Sequence, residues 1–348
     1  MKILITTVQV PFIRGGAEIL AEELLKALAQ KDHEAEIVAI PLKWYPPERI
    51  LDGMLACRLL DITESHGQKI DRVIGLKFPA YLIPHPHKVL WLLHQYRDAY
   101  DIWGGPYCDL CNYPQGSVIR DSIIQADNKI FYESSAIFTI ANNVSKRLKK
   151  FNQIEAKSLY HPPQNADLFY CEQESNYLFF PSRLNPIKRQ ELVLNALAKT
   201  INPVCVIFAG IAGDDYYGQH LLQIAEKLEI RERAIFLGRI TEAEKVKYYA
   251  ESLGVIYPPF DEDYGYVSLE AMLSSKAVIT CTDSGGPLEF VRDQETGLVA
   301  EPTDIAIAEA MDKLWENRLW ANQLGQSALN YYHSLNINWS NVINNLLA

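Results

Sequence analysis

Residues 254–275 read GVIYPPFDEDYGYVSLEAMLSS. The apolar run at 254–258, closed by two prolines, reads as a buried strand, and residues 266–275 read as a helix. Between them lies a loop carrying Glu262 and Gly265. Strand, loop and helix in that order form the repeating unit of a doubly wound parallel sheet, which takes its ligands in the loops beyond the strands' carboxyl ends. Glu262 falls in the loop and Glu270 about one turn into the helix, so both carboxylates can face one crevice. A carboxylate accepts hydrogen bonds from two neighbouring hydroxyls at once, so each suits one sugar diol. Gly265 permits a tight backbone turn between them. Asp261 and Asp263 read as solvated loop acids.

The same alternation extends in both directions. Upstream lie strands at 177–182, 204–210 and 234–238, with helices at 188–200, 216–229 and 242–251. Downstream lie strands at 277–281 and 297–300, a short helix at 286–292 and a mostly helical stretch over 304–347. The first half repeats the theme. KILITTV, EIVAI (36–40), RVIGL (72–76), KVLWLLH (88–94) and AIFTIA (136–141) read as strands, and 17–30, 117–135 and the basic stretch NVSKRLKKF as helices. Residues 161–176, HPPQNADLFYCEQESN, have no period and read as a linker. The fold class is therefore α/β, with two Rossmann-like doubly wound domains facing across a cleft. The expected domains are 1–165, 166–330 and a C-terminal helix at 331–348 packing back on the first.

The chain has 348 residues, 48% hydrophobic and 22% charged, a normal balance for a globular protein with a substantial core. No apolar run reaches the roughly 18 residues of a membrane span. MKILITTVQVPF reads as a strand and turn rather than a secretory leader, so a cytoplasmic location is expected. Net charge is −10, which argues against nucleic acid as a partner. Residues 1–170 carry 19 Lys+Arg and 19 Asp+Glu, so the second half holds the whole imbalance. Of six cysteines only Cys108 and Cys111 have metal or redox spacing, and two ordinary thiols is the simpler reading.

Other strand ends carry candidate chemistry. Gly15 and Gly16 follow the first strand and open a helix, where free N–H groups and a partial positive charge suit phosphate. Arg183 and Lys188, in FFPSRLNPIKRQELVL, flank a strand-to-helix turn; basic residues are unfavourable at a helix start, and a bound diphosphate relieves that conflict. Arg189 sits beside them and could substitute for one. Asp283-Ser284-Gly285-Gly286 offers a second phosphate-facing turn, with a plain turn as the alternative. His94 ends a buried strand and either caps it or points into the cleft. Residues 145–151, SKRLKKF, form a small basic amphipathic patch, which reads as a solvated face or as a weak peripheral contact with an anionic membrane.

Together these residues resemble family 4 of the retaining glycosyltransferases, which have the GT-B fold. The resemblance runs through RLNPIK, IFAG, IFLGRI, EDYGYVSLEAM, SGGPLEFV and TGLVAEP in the second half, and through GGAE and the histidine of LLHQ in the first. It implies that Arg183 and Lys188 bind a donor pyrophosphate and that Glu270 holds the nucleotide's ribose. Glu262, with the backbone of Tyr264, Gly265, Tyr266 and Val267, would hold the transferred sugar. Arg239 and Ile240 would meet the base, Gly15 and Gly16 the diphosphate, and His94 the sugar's hydroxyls and the acceptor. The implied reaction is retaining, metal-independent hexosyl transfer from a UDP-sugar, UDP-glucose being favoured, to a saccharide or lipid-linked saccharide in polysaccharide or glycoconjugate biosynthesis. Three features depart from the family: Arg189 where glycine is usual, Ser-Ser-Lys-Ala after the Glu270 helix, and Tyr264 in place of Phe. A same-fold sugar-nucleotide epimerase, a non-enzymatic nucleotide-sugar binder and a glycoside hydrolase using Glu262 and Glu270 stay open as alternatives.

Overall fold

The computed structural model describes residues 1–12, 14–213 and 215–348. The chain divides into two units, Met1–Gln164 with Asn338–Ala348, and Asn165–Ile337.

The first unit contains β1 (Lys2–Gln9), α1 (Gly16–Ala29), β2 (Glu34–Pro41), α2 (Glu48–Leu59), a two-residue hairpin of β3 (Glu64–Ser65) and β4 (Gln68–Lys69), β5 (Arg72–Gly75), β6 (Lys88–Leu92), α3 (Gly116–Glu133), β7 (Ala136–Thr139), α4 (Asn142–Asn152) and β8 (Lys157–Ser158). Its main sheet runs β2-β1-β5-β6-β7-β8 with all pairs parallel. Central strands of such a sheet are covered on both faces. That is why β6, KVLWL, is buried at every position. On α1 the buried residues Leu20, Ala21, Leu24, Ala27 and Leu28 fall at helical spacing and form one face.

The second unit contains β9 (Leu178–Pro181), α5 (Gln190–Leu197), β10 (Val206–Ala209), α6 (Asp215–Lys227), β11 (Ala234–Gly238), α7 (Glu242–Glu251), β12 (Gly254–Ile256), α8 (Tyr266–Leu273), β13 (Val278–Cys281), β14 (Gly297–Ala300), α9 (Asp304–Glu316) and α10 (Arg318–Ser334). The sheet order is β11-β10-β9-β12-β13-β14, again all parallel. The central β9 pairs Phe179 with Ile207 on one side and Val255 on the other. Chain direction across the sheet reverses between β9 and β12, and this switch point opens a crevice at their carboxyl ends.

The helix at the end of the chain, α11 (Trp339–Leu347), belongs to the first unit. Val342, Ile343 and Leu346 are buried there. The Trp339 ring lies edge-on to Trp91 with centres 6.1 Å apart and tilted against His161 at 5.7 Å, and Arg72 donates to the Leu346 carbonyl at 2.8 Å. Residues 331–337, read from the sequence as part of this element, stay with the second unit. Burial pushes the His161 imidazole down to about 3, so it packs as a neutral ring. The sequence reading lacks α2, which follows two prolines and contains Gly53; its buried positions Ile50, Met54 and Cys57 are nevertheless at helical spacing. No helix among the described residues is long and apolar enough to cross a membrane.

Candidate functional site

The loops that leave β9, β12 and β13 meet at the switch point of the second sheet. After β9 the chain passes Arg183, caps a short turn at Asn185 and ends that turn at Lys188. The Lys188 ammonium donates to the Tyr257 hydroxyl at 3.2 Å and forms a close ion pair with Glu262, from the loop after β12. The two side chains are 16% and 22% exposed, so solvent screens the pair only in part. Burial, then Glu262, hold the Tyr257 phenol well above its ordinary pKa, so it stays a neutral donor and acceptor. The Arg183 side chain is exposed and joins no ion pair among the described residues.

Next to Lys188, Arg189 has φ 61° and ψ 38°, a left-handed conformation. Glycine adopts it freely, whereas another residue loses about 1–2 kcal/mol. Arg189 thus holds a conformation that glycine would adopt without strain. Its side chain does not stand in for a phosphate-binding cation: the guanidinium forks onto Asp283 at 2.7 and 2.6 Å, and it lies 5.2 Å from the Phe260 ring centre.

The loops after β12 and β13 are zipped together through their backbones. Asp261 N–H donates to the Asp283 carbonyl at 2.9 Å, Glu262 N–H to Ser284 at 2.9 Å, and Gly286 N–H to Glu262 at 2.7 Å. A side chain at Gly286 would lie 2.7 Å from the Asp263 carbonyl oxygen, so only glycine allows this approach. Gly265, at φ 85°, is the N-cap of α8 and has no side chain to close the helix's first N–H groups. Those groups and the dipole of α8 suit a negative or hydroxyl-rich ligand. The Tyr264 side chain is turned into the core, edge-on to Tyr266 and Phe290, so only its backbone is available to a ligand.

Glu270, one turn into α8, is 8% exposed. Its two oxygens accept from Lys245 Nζ at 2.9 Å and Tyr249 Oη at 2.7 Å, both on α7. Burial is the largest influence on Lys245 and opposes its charge, yet Glu270 and Glu242 outweigh it and raise its pKa. The sequence reading lacks Lys245 and Tyr249, although their four-residue spacing puts them on one helix face. Arg239 and Ile240 follow β11 at the same sheet edge, Arg239 exposed and Ile240 half-buried. The second-sheet candidates thus gather along one carboxyl edge.

In the first unit, Gly15 caps α1, but its N–H already donates to the Glu18 carboxylate at 2.8 Å. An acid at that end offsets part of the helix's attraction for phosphate. Gly16 is exposed. His94 follows β6, and its Nδ1 lies 2.5 Å from the Gln95 carbonyl. A carbonyl only accepts, so Nδ1 donates its N–H to it. Cys108 and Cys111 are free thiols, and burial pushes Cys108 up to about 11. Among the described residues no cluster of three or more His, Cys, Asp or Glu could hold a metal ion. The basic patch at 145–151 is smaller than its sequence suggests. Arg147 is buried, 3.7 Å from Asp101, and Lys149 pairs with Glu155 at 2.7 Å.

Two parallel six-stranded sheets, one with cations, acids and a helix start gathered at its switch point, define an α/β protein of the GT-B fold. Residues 171–331 match the family described as Glycosyl transferases group 1. A D-inositol 3-phosphate glycosyltransferase of Corynebacterium diphtheriae is 27% identical over 168 residues, 46% of this chain and 39% of the relative. The matched region thus spans less than two fifths of that relative's length. An uncharacterized glycosyltransferase of Methanocaldococcus jannaschii is 23% identical over 361 residues, covering 90% of this chain and 89% of the relative. The crystal structure of Anabaena HepE with UDP-glucose superposes with a TM-score of 0.73 at 16% identity, covering 100% of this chain and 98% of that one.

Proposed function

We propose that the protein transfers a hexosyl group, glucose from UDP-glucose in the favoured case, to a hydroxyl of a saccharide or lipid-linked saccharide, with retention and without a metal. The observation that carries this reading is the Lys188–Glu262 pair at the switch point between β9 and β12, with Glu270 one helical turn beyond.

The hard step is cleavage of the anomeric C–O bond, which leaves negative charge on the departing diphosphate. Arg183 and Lys188 stabilise that charge, as does the start of α8. An ammonium has three donors, so Lys188 can keep Glu262 and still reach a phosphate oxygen. Glu270 accepts from the ribose hydroxyls with the lone pairs that Lys245 and Tyr249 leave over. Glu262 and the backbone of Tyr264–Val267 hold the sugar, and Arg239 and Ile240 the base. The departing phosphate takes the acceptor's proton. From the first unit, the resemblance adds Gly15 and Gly16 for the diphosphate and His94 for the transferred sugar. The proposed location is the cytoplasm, with peripheral membrane contact through Lys146, Lys149 and Lys150.

A donor screen tests the reading. UDP, GDP, ADP and their sugars are scored by thermal shift, then the stabilising donor is incubated without acceptor. We expect UDP and UDP-glucose to raise the melting temperature, with slow release of the sugar in excess EDTA and net retention by NMR. No shift with any nucleotide, or activity lost in EDTA and restored by Mn²⁺, overturns the nucleotide or the metal-free part respectively. Conversion of the donor to an epimer alone would favour the epimerase.

A further inference from the structure

Arg189 holds a backbone conformation that glycine would adopt without strain, so the turn itself does not require its side chain. The side chain is aimed at one partner. Both terminal nitrogens engage both oxygens of Asp283, 94 residues away, and the pair is 14% and 33% exposed. Asp283 opens the segment Asp283-Ser284-Gly285-Gly286, whose backbone is joined to Asp261 and Glu262. An unpaired carboxylate there would stand beside the loop that holds Glu262, against an incoming anion.

Resting on the function proposed above, we propose that Arg189 is a positioning residue whose guanidinium cancels the charge of Asp283 beside the diphosphate subsite and locks the loops after β9 and β13. Its contribution is electrostatic as well as mechanical. A purely mechanical staple fails in every variant that breaks the pair. A charge-cancelling one is restored when the second charge is also removed.

The experiment measures UDP and uridine binding by calorimetry, with GDP and ADP in parallel, for wild type, Arg189→Gly, Asp283→Asn and the double variant. We expect Arg189→Gly to weaken UDP about tenfold while uridine changes little, since only UDP carries the phosphates. The double variant should return to within about threefold of wild type. Asp283→Asn, which frees a cation beside the subsite, should bind UDP at least as tightly as wild type. The same weakening in the double variant as in Arg189→Gly, or equal loss of UDP and uridine, overturns the electrostatic role. Should Arg189→Gly fail to fold, weaker UDP binding by Asp283→Asn overturns it instead. Unchanged UDP affinity in Arg189→Gly sinks this inference and leaves the proposed function standing. Wild type binding none of the three diphosphates sinks both.

Discussion

The Lys245 ammonium lies 2.9 Å from Oε1 of Glu270, an ion pair between α7 and α8 with side chains only 18% and 10% exposed. Removing one member of a mostly buried pair leaves the other charge desolvated. Lys245→Met should lower unfolding stability by about 2–4 kcal/mol, the upper half of the range being trimmed by the remaining exposure. Tyr249 still satisfies the other oxygen, which keeps the variant folded. The pKa of Lys245 is raised above 10.5, so its stabilisation is fully present below that value and fades as pH climbs through the folded-state value. Denaturation of both proteins from pH 6 to 11 should show a constant gap up to about pH 10 that narrows above it. A gap already closing at neutral pH would contradict this account.

Lys188 and Arg183 should not be equivalent. Each charge-assisted bond to a diphosphate contributes about 1.5–3 kcal/mol, or about 10- to 200-fold in rate. Arg183→Ala removes an exposed cation and nothing else. Lys188→Ala also strips Glu262 of its cation and Tyr257 of a hydrogen bond. Turnover should therefore fall further for Lys188→Ala, and a double-mutant cycle with Glu262→Gln should show coupling of at least about 1 kcal/mol. Additive losses would place Lys188 and Glu262 in separate roles.

Gly286→Ala tests the zipped loops. The added methyl would sit 2.7 Å from the Asp263 carbonyl oxygen and 2.8 Å from that of Tyr264, both backbone atoms that cannot rotate away. The loop bearing Glu262 must shift, and donor KM should rise at least about tenfold while the melting temperature falls only a few degrees. An unchanged KM would show that the loop tolerates displacement.

The strands of the second unit were legible because each is short, apolar and bounded by turn residues. AIFLG at 234–238 and GLVA at 297–300 coincide with β11 and β14. The residues of the sheet edge were legible for a related reason, since each follows one of those strands. Their partners were not. Arg189 meets Asp283 across 94 positions and Lys245 meets Glu270 across 25, and no local period links positions so far apart. Arg189 also looked like a spare cation because a sequence does not show where a guanidinium points. Arg147 sits among exposed lysines in sequence, but its turn of α4 faces Asp101. α2 was hidden by Gly53 and by the exposed Leu55 and Leu59, which blur its apolar face.

In the first unit the carboxyl group of Asp127 departs from the usual behaviour of acids. Asp127 on α3 is fully buried, and the Tyr81 and Tyr100 hydroxyls donate to it at 2.9 and 2.8 Å. Burial disfavours the carboxylate, the two phenols favour it, and burial wins, so the pKa rises from 3.8 to about 7. With the folded pKa above the unfolded one, the folded state binds the extra proton between these values, and stability falls as pH rises from about 4 to 7 before levelling off. Asp127→Asn removes the titration and keeps the shape. Relative to wild type the variant should gain stability steadily over that window, by on the order of a few kcal/mol, and then run parallel above pH 8. Urea denaturation at half-unit pH steps reads this directly. A gap between the two proteins that does not change with pH would mean that Asp127 is ionised throughout and that the two phenols, rather than burial, set its charge.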